Sequence, residues 1–541
     1  MSNWSASPGR IRGTALVDTA DAASTETFRA VDPATGAPLD PPLSAVAAAE
    51  VAAACGLAEA AFPGFSQTDP QTQADFLEAV AAAVDDLGPP LIERAMAETG
   101  LPRARLEGGR ARTVAPLRLF AGLVPSGAWV QARVDSARPE RQPLPRPDLR
   151  RRHVARGPVA VFGASNSPLA FSVAGGDTAF ALPAGCPVVV RGHPAHPATG
   201  ELVGRAVRSA VKACGLREDM FSYLPGPSTA LGAALGAALG AALVADPRIR
   251  AVGFTGSRGS GLALMRVAVA RPASIPDYAE MSAVAPVPLL PGTLRDPNAT
   301  LAAGLVQSAR RGAGPFCTKP GLPIGIAGPD LDAFVEAVGA LIRASVPHTM
   351  LTAAVRTRFE RAVAARADRP RVTVTARGAA GLGGAPAALL RTGARPFGRS
   401  GLGRGYVRPR RPGGDGRRPG RDAPGRRVPR GATDRDAASR PGGRAPRSRP
   451  GAASGPEGGA DPRHWLAHRR GGGPRDGAWR PVPGHVGRPR HLGGHPDHRV
   501  VPAPGLPSGP ARRAPAAPLR PDNPSHLSRR TDGALNPRPG R

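Results

Sequence analysis

The chain has 541 residues, enough for two or three domains with a sizeable core, and a net charge of +31. No run of eighteen apolar residues exists, so no membrane span is expected, and the N-terminal MSNWSASPGRIRG lacks the apolar region of a signal peptide. The charge is uneven: after residue 390 there are 33 arginines, no lysine and ten acidic residues, so the first 390 residues carry only +8 and read as an ordinary globular chain. Four cysteines (Cys55, Cys186, Cys214, Cys317) show neither disulfide nor metal-ligand spacing, as expected of reduced thiols in a cytoplasm.

In chain order, Glu26 to Gly36 reads as a short strand ending in a turn, and residues 46–120 as a set of helices. Phe76-Leu-Glu-Ala-Val-Ala-Ala-Ala-Val84 puts apolar residues on one face, Pro89 and Pro90 break one helix, and Gly100 with Pro102 breaks the next. Arg103, Arg105 and Glu107 read as a solvated face. Residues 136–153, with four prolines and six arginines, predict an extended arm or edge hairpin leaving the domain body towards a partner subunit.

Gly157-Pro-Val-Ala-Val-Phe-Gly-Ala-Ser-Asn166 is an apolar run ending in small residues, as when a buried strand delivers a loop to a sheet's carboxyl edge. A helix from Ala170 to Ala184 and a second strand, Cys186-Pro-Val-Val-Val-Arg191, complete a parallel βαβ unit. Residues 198–214 continue as an amphipathic helix. The Leu-Gly-Ala-Ala repeats over 231–242 read as a glycine-weakened, tolerant surface helix whose leucines (231, 235, 239, 243) share one face. Strand Ile249–Thr255 then enters Gly256-Ser-Arg-Gly-Ser-Gly261 and a helix, which is either a pyrophosphate site or a plain βα turn. His193 and His196 lack a third ligand, so no metal is expected; their loop reads as lining the adenosine end of a cofactor. Two further residues point to acyl chemistry: Cys317, after the small-residue turn Gly312-Ala-Gly-Pro-Phe, and Glu280, in Tyr278-Ala-Glu-Met-Ser282, pair a thiol nucleophile with a carboxylate base.

Over about 27–392 the chain resembles the aldehyde dehydrogenase superfamily, and within it the 2,5-dioxovalerate (α-ketoglutarate semialdehyde) branch. The stretches that carry this are Glu98-Thr-Gly-Leu-Pro-Arg-Ala-Arg-Leu-Glu107, Gly157–Asn166, Pro168-Leu-Ala-Phe-Ser-Val-Ala-Gly-Gly-Asp-Thr178, Ala245-Asp-Pro-Arg-Ile249, Gly253-Phe-Thr-Gly-Ser257 and the segments around Glu280 and Cys317. The resemblance implies an α/β fold, with a Rossmann-type cofactor domain (1–275) and the first part of a catalytic domain (276–392). It implies a cytoplasmic, homo-oligomeric NAD(P)⁺-dependent enzyme, with NADP or NAD as cofactor and a small aldehyde as substrate. Cys317 would attack the aldehyde, Asn166 would hold the oxyanion, and Glu280 would activate the hydrolytic water. Arg191, His193, Gly253, Gly256 and Ser257 would bind the cofactor. Four positions depart from the family pattern: Arg191 replaces the ribose-binding lysine, Ser167 replaces Phe in Asn-Phe-Pro-Leu, Pro315 replaces Gln, and Ala285-Pro286 replaces Asn-Pro.

Beyond about Thr392 the resemblance stops, and residues 393–541 read as a low-complexity, largely disordered Arg/Gly/Pro-rich tail. Its commonest residues are those whose codons begin with two G or C bases. Shifted by one base, Tyr406-Val-Arg-Pro409 can encode Thr-Phe-Gly-Pro, and the stretch from Trp465 can encode a late catalytic-domain segment of the family. Leu519–Pro524 and Arg529–Leu535 resemble the family's own C-terminus in frame. The hypothesis is therefore two compensating frameshifts, near 393–405 and 505–518. The alternatives are a catalytically dead remnant, or an Arg/Gly tail that binds nucleic acid; the missing lysines and the lack of interleaved aromatics argue against the latter. Resequencing codons 385–525 is expected to find both indels, and an unbroken frame would refute the idea.

Overall fold

A computed structural model describes residues 10–17, 20–226, 230–295, 298–313, 316–370, 372–379, 384–385, 388–392, 501–502, 529–531 and 534–536. Every described residue lies in one compact unit. The segments 393–405 and 505–518 of the frameshift hypothesis, the stretches at Tyr406 and from Trp465, and all of the tail except 501–502, 529–531 and 534–536 lie outside the described residues.

Five parallel strands form the centre, in spatial order Asp277–Glu280, Ala251–Thr255, Val159–Phe162, Val188–Arg191, Phe221–Leu224. Ala15–Val17 and Ala20–Ala22 extend the last edge antiparallel. Val188, Val189 and Val190 are wholly buried because helices cover both faces. Alternation along each strand sorts the side chains. Val159, Val161, Val188, Val190, Phe221 and Tyr223 pack with helices Pro70–Asp86, Arg103–Leu123 and Pro197–Ala213. Ala160, Val189, Leu224, Val252 and Phe254 pack with helices Ala48–Phe65, Ala230–Ala245 and Arg258–Ala270. This is the expected doubly wound α/β arrangement, and it delivers the loops after Phe162, Arg191 and Thr255 to one carboxyl edge.

Close approach of helix Pro197–Ala213 to the sheet depends on small residues. A Cβ on Gly200 would lie 2.3 Å from the Tyr223 hydroxyl oxygen, which itself donates to the Pro197 carbonyl at 2.7 Å. The start of that helix is held from outside by Glu98, at the end of helix Gly88–Thr99. Its fully buried carboxylate accepts from Ala198 N–H (3.0 Å), Thr199 N–H (2.8 Å) and Thr199 Oγ1 (2.6 Å), and pairs with Arg94 at 3.1 Å.

Two elements differ from expectation. The helix predicted over 170–184 exists only as Asp177–Ala181 plus a 3₁₀ turn, Leu182–Ala184. Gly176 sits at φ 54, and a Cβ on Gly175 would be 2.3 Å from the Ala170 carbonyl oxygen, so residues 170–176 fold back as turns. The repeat helix is not a tolerant surface element along its whole length. Leu239 and Leu243 are core residues, and Gly240 lies over the Phe162 ring.

The proline- and arginine-rich segment does form a hairpin. Ala132–Asp135 pairs antiparallel with Leu149–Arg151, and Arg138 bridges Arg146 further out. Arg529–Thr531 joins this sheet parallel to Ala132–Asp135, with Ala534–Asn536 beyond it, and Val501–Pro502 pairs with Leu149–Arg151.

Past Glu280, strands Pro286–Leu289 and Leu322–Gly325 pair in parallel, and helices Asn298–Arg310 and Pro329–Arg343 pack a small core of Leu289, Leu294, Val306, Phe334 and Val338. The apolar strand Leu322–Gly325 is open: Leu322 and Ile324 are 40% and 42% exposed, and neighbouring Val284 and Ile326 are 63% and 70% exposed. Ala285 enters this sheet at φ 44, a left-handed conformation that asparagine tolerates and alanine does not.

Two stability predictions follow from these contacts. Glu98→Ala leaves three buried donors and Arg94 without their acceptor, and should cost about 3 kcal/mol in urea unfolding; a loss below about 1 kcal/mol would show the carboxylate is not a structural tie. Ala285→Asn should gain about 1 kcal/mol by relieving the left-handed alanine, and no gain would contradict the strain.

Candidate active site

Asn166 ends the loop that leaves strand Val159–Phe162, beyond Gly163, whose N–H bonds the Arg191 carbonyl at 3.0 Å. Its neighbour Ser167 is buried. Asn166 lines a cavity of about 300 Å³ with Ser165, Thr99, Leu101, Gly312, Ala313, Lys319, Met350, Leu351 and Phe359. Gly312 and Ala313 precede Cys317, and Lys319 follows it. The cavity therefore brings Asn166 together with both flanks of the candidate nucleophile. Cys317 and Glu280 are themselves exposed, and among the described residues neither lines that cavity.

The nucleophile loop is shaped by local contacts. Gly312 (φ 56) and Ala313 (φ 61) are both left-handed, and a Cβ on Gly312 would lie 2.5 Å from the Phe316 ring. Lys319 N–H bonds the Phe316 carbonyl at 3.2 Å, closing a turn over Cys317. Gly321 N–H then bonds the Ala285 carbonyl at 3.3 Å, pinning the loop to the segment that follows Glu280. Pro315 lies outside the described residues. Cys317 is the exposed thiol among the four. Burial pushes the Cys55 thiol up to about 12 and raises that of Cys214, which leaves them protonated and unreactive near neutrality.

Glu280 closes strand Asp277–Glu280 in register with Thr255, and its carbonyl accepts from Gly256 N–H at 3.0 Å. The candidate base thus adjoins the candidate pyrophosphate turn through the backbone. Ser257 caps helix Arg258–Ala270, its Oγ accepting from Ser260 N–H at 3.2 Å. The exposed helix start at the carboxyl edge of a parallel sheet fits a dinucleotide's phosphates. Gly253 is in the strand interior, where a Cβ would be 2.5 Å from Asp177; its smallness serves packing.

Arg191 is 6% exposed, and its guanidinium is turned inward. Nη1 donates to the Leu224 carbonyl at 3.1 Å, and a Cβ on Gly226 would fall 1.7 Å from Nη2. Burial pulls its pKa down to about 10. His193 stacks on His196 with ring centres 5.1 Å apart and accepts from Ala195 N–H at 3.2 Å. His196 is fully buried, with Nε2 3.0 Å from the Ala164 carbonyl oxygen, so Nε2 carries the proton. Burial lowers its pKa to about 4, keeping it neutral. Among the described residues no group of His, Cys, Asp and Glu could hold a metal ion. Arg191, expected to bind the cofactor, is instead turned into the fold, where it bonds the Leu224 carbonyl.

The sequence reading missed two cations. Lys319 lines the cavity, and Arg105, read as part of a solvated face, is half-buried with its guanidinium carbon 4.7 Å from the centre of the Phe316 ring. Arg103 behaves as expected, pairing on the surface with Glu93 and Glu107. A side chain's partner across 200 residues has no local signature in sequence.

The aldehyde dehydrogenase family model matches residues 20–344. The chain is 50% identical over 380 residues to α-ketoglutaric semialdehyde dehydrogenase 2 of Azospirillum brasilense, covering 70% of this chain and 71% of that protein. It is 47% identical over 302 residues to the α-ketoglutaric semialdehyde dehydrogenase of Acinetobacter baylyi, covering 56% of each. Among solved structures, a salicylaldehyde dehydrogenase from Pseudomonas putida G7 superposes with a TM-score of 0.59 at 19% identity, over 70% of this chain and 75% of that one. A succinate-semialdehyde dehydrogenase from Burkholderia pseudomallei gives 0.58 at 22% identity, over 70% and 76%. Those two likenesses speak for the fold alone, and among the described residues no helix is long and apolar enough to cross a membrane. With the parallel sheet, the loop edge and the family match in agreement, the chain belongs to the aldehyde dehydrogenase family.

Proposed function

We propose that this chain oxidises a semialdehyde of the α-ketoglutaric type to the dicarboxylate, with NADP⁺ or NAD⁺. The observation that carries the reading is the cavity where Asn166 meets both flanks of Cys317. The names of the two relatives supply the substrate class.

Cys317, as thiolate, attacks the aldehyde carbon. The developing oxyanion accepts from the Asn166 side-chain amide and the Cys317 backbone N–H, donors placed where charge appears. A bound nicotinamide would supply the hydride acceptor for the hemithioacetal on Cys317. A thioester on Cys317 remains, and Glu280 takes a proton from the water that hydrolyses it. The Ser257 helix start would hold the cofactor's phosphate, and the loop after Arg191 would border its ribose.

One observation favours a second reading, a remnant with little turnover. Cys317, Glu280 and the strand Leu322–Gly325 are all exposed, so the water exclusion and rigid support that acyl transfer requires are weak here.

Single-turnover reaction with the semialdehyde, read by reduced-nicotinamide absorbance, separates these outcomes. Glu280→Gln should release up to one equivalent of reduced cofactor and then slow at least ~100-fold, because deacylation loses its base. Cys317→Ala should release none. Reduction by Cys317→Ala at the unsubstituted rate would defeat the proposal, and none from the unsubstituted chain would establish the remnant.

A further inference from the structure

Of the 72 basic residues in the chain, only Lys212 and Lys319 are lysines. Lys212 is exposed in the last turn of helix Pro197–Ala213. Lys319 is half-buried and lines the cavity that Asn166 also lines. The choice of cation has a chemical consequence. A guanidinium keeps its proton in any protein setting, whereas an ammonium can release one and become a nucleophile.

Little around Lys319 holds its proton. Among the described residues no carboxylate pairs with its ammonium, and burial lowers its pKa from the ordinary lysine value. Leu101, Met350, Leu351, Val355 and Phe359 give the cavity an apolar wall, and its volume is about 300 Å³. That space suits a small molecule with a short carbon chain. A lysine desolvated in an apolar pocket is the setting in which an amine adds to a carbonyl group.

We infer that Lys319 is a second covalent site in this cavity, forming a reversible imine with short-chain aldehydes and ketones. The neutral Nζ adds its lone pair to the carbonyl carbon. The carbonyl π pair moves to oxygen, which takes up the proton that nitrogen sheds. The carbinolamine then loses water and leaves a C=N bond. No electron is gained or lost overall, and water reverses the step. This goes beyond the proposed oxidation, because it uses neither the cofactor nor Cys317. A carbonyl compound held on Lys319 occupies the cavity without being oxidised.

The test treats the full chain with pentanal and cyanoborohydride in the absence of cofactor. Cyanoborohydride delivers hydride to the imine carbon and fixes the adduct as a secondary amine. Peptide mass analysis then compares the two lysines, so the exposed Lys212 serves as a control within the same molecule. Lys319 should acquire the pentyl group at least about fivefold faster than Lys212, since each unit by which burial lowers an amine's pKa raises its neutral fraction roughly tenfold. In urea, where the cavity is lost, the two rates should become equal. Equal or slower labelling of Lys319 in the folded chain would overturn the imine site. A Lys319 excess that persists in urea would also overturn it, because the cavity would then not be its cause. Either failure leaves the proposed oxidation untouched. Conversely, absence of cofactor reduction with Lys319 labelled as expected would remove that oxidation and leave the imine site standing.

Discussion

The carboxylate of Glu98 is wholly buried, and it ties two layers of the molecule that would otherwise meet only through apolar contact. It caps the start of helix Pro197–Ala213 from the end of helix Gly88–Thr99, accepting from two backbone N–H groups and a hydroxyl. Part of the cavity frame adjoins this tie. Thr99 and Leu101 enter the cavity wall one and three residues after Glu98, and Arg105 follows on the next helix. On the other side, helix Pro197–Ala213 rests on Tyr223 through glycines and holds the loop after Arg191 at the sheet edge. A buried charge is costly, and here the donors around it fix one arrangement of helices against sheet.

The edge so fixed does two jobs within a few residues. Glu280 offers its carbonyl to Gly256 N–H, so the end of one strand and the candidate pyrophosphate turn after its neighbour form a single unit. The loop bearing Cys317 is pinned to the segment after Glu280 by the Gly321–Ala285 bond and by the parallel pairing of Pro286–Leu289 with Leu322–Gly325. The cofactor side of this arrangement is buried on both faces of its sheet. The nucleophile side rests on a small core and an open strand, so the two halves of the chemistry differ in rigidity. Strain at Ala285 and Ala313 falls on the less supported half.

Much of this was legible in the sequence because it is local. Val188–Arg191 and Val159–Phe162 are short apolar runs, and runs of that kind are buried on both faces whatever surrounds them. Small-residue turns and family resemblance singled out Cys317, Glu280 and Asn166, and the structure brings Asn166 and both flanks of Cys317 to one cavity. The failures are those of distance and of backbone geometry. The helix expected from Ala170 fails because Gly175 must clear the Ala170 carbonyl, a contact invisible to periodicity. Arg105 reads as surface because its partners, Phe316 and Ser167, are far along the chain. The repeat helix reads as tolerant because glycine lowers helix propensity, whereas burial of Leu239 and Leu243 overrides it.

The central claim is that Cys317 carries the acyl group. Its most direct test is acid quenching of the chain during reaction with the semialdehyde and oxidised cofactor, followed by peptide mapping of all four cysteines. The account predicts an acyl adduct on the Cys317 peptide alone, accumulating in step with reduced cofactor. An adduct on Cys214 instead, or reduced cofactor formed with Cys317 unmodified throughout, would contradict it.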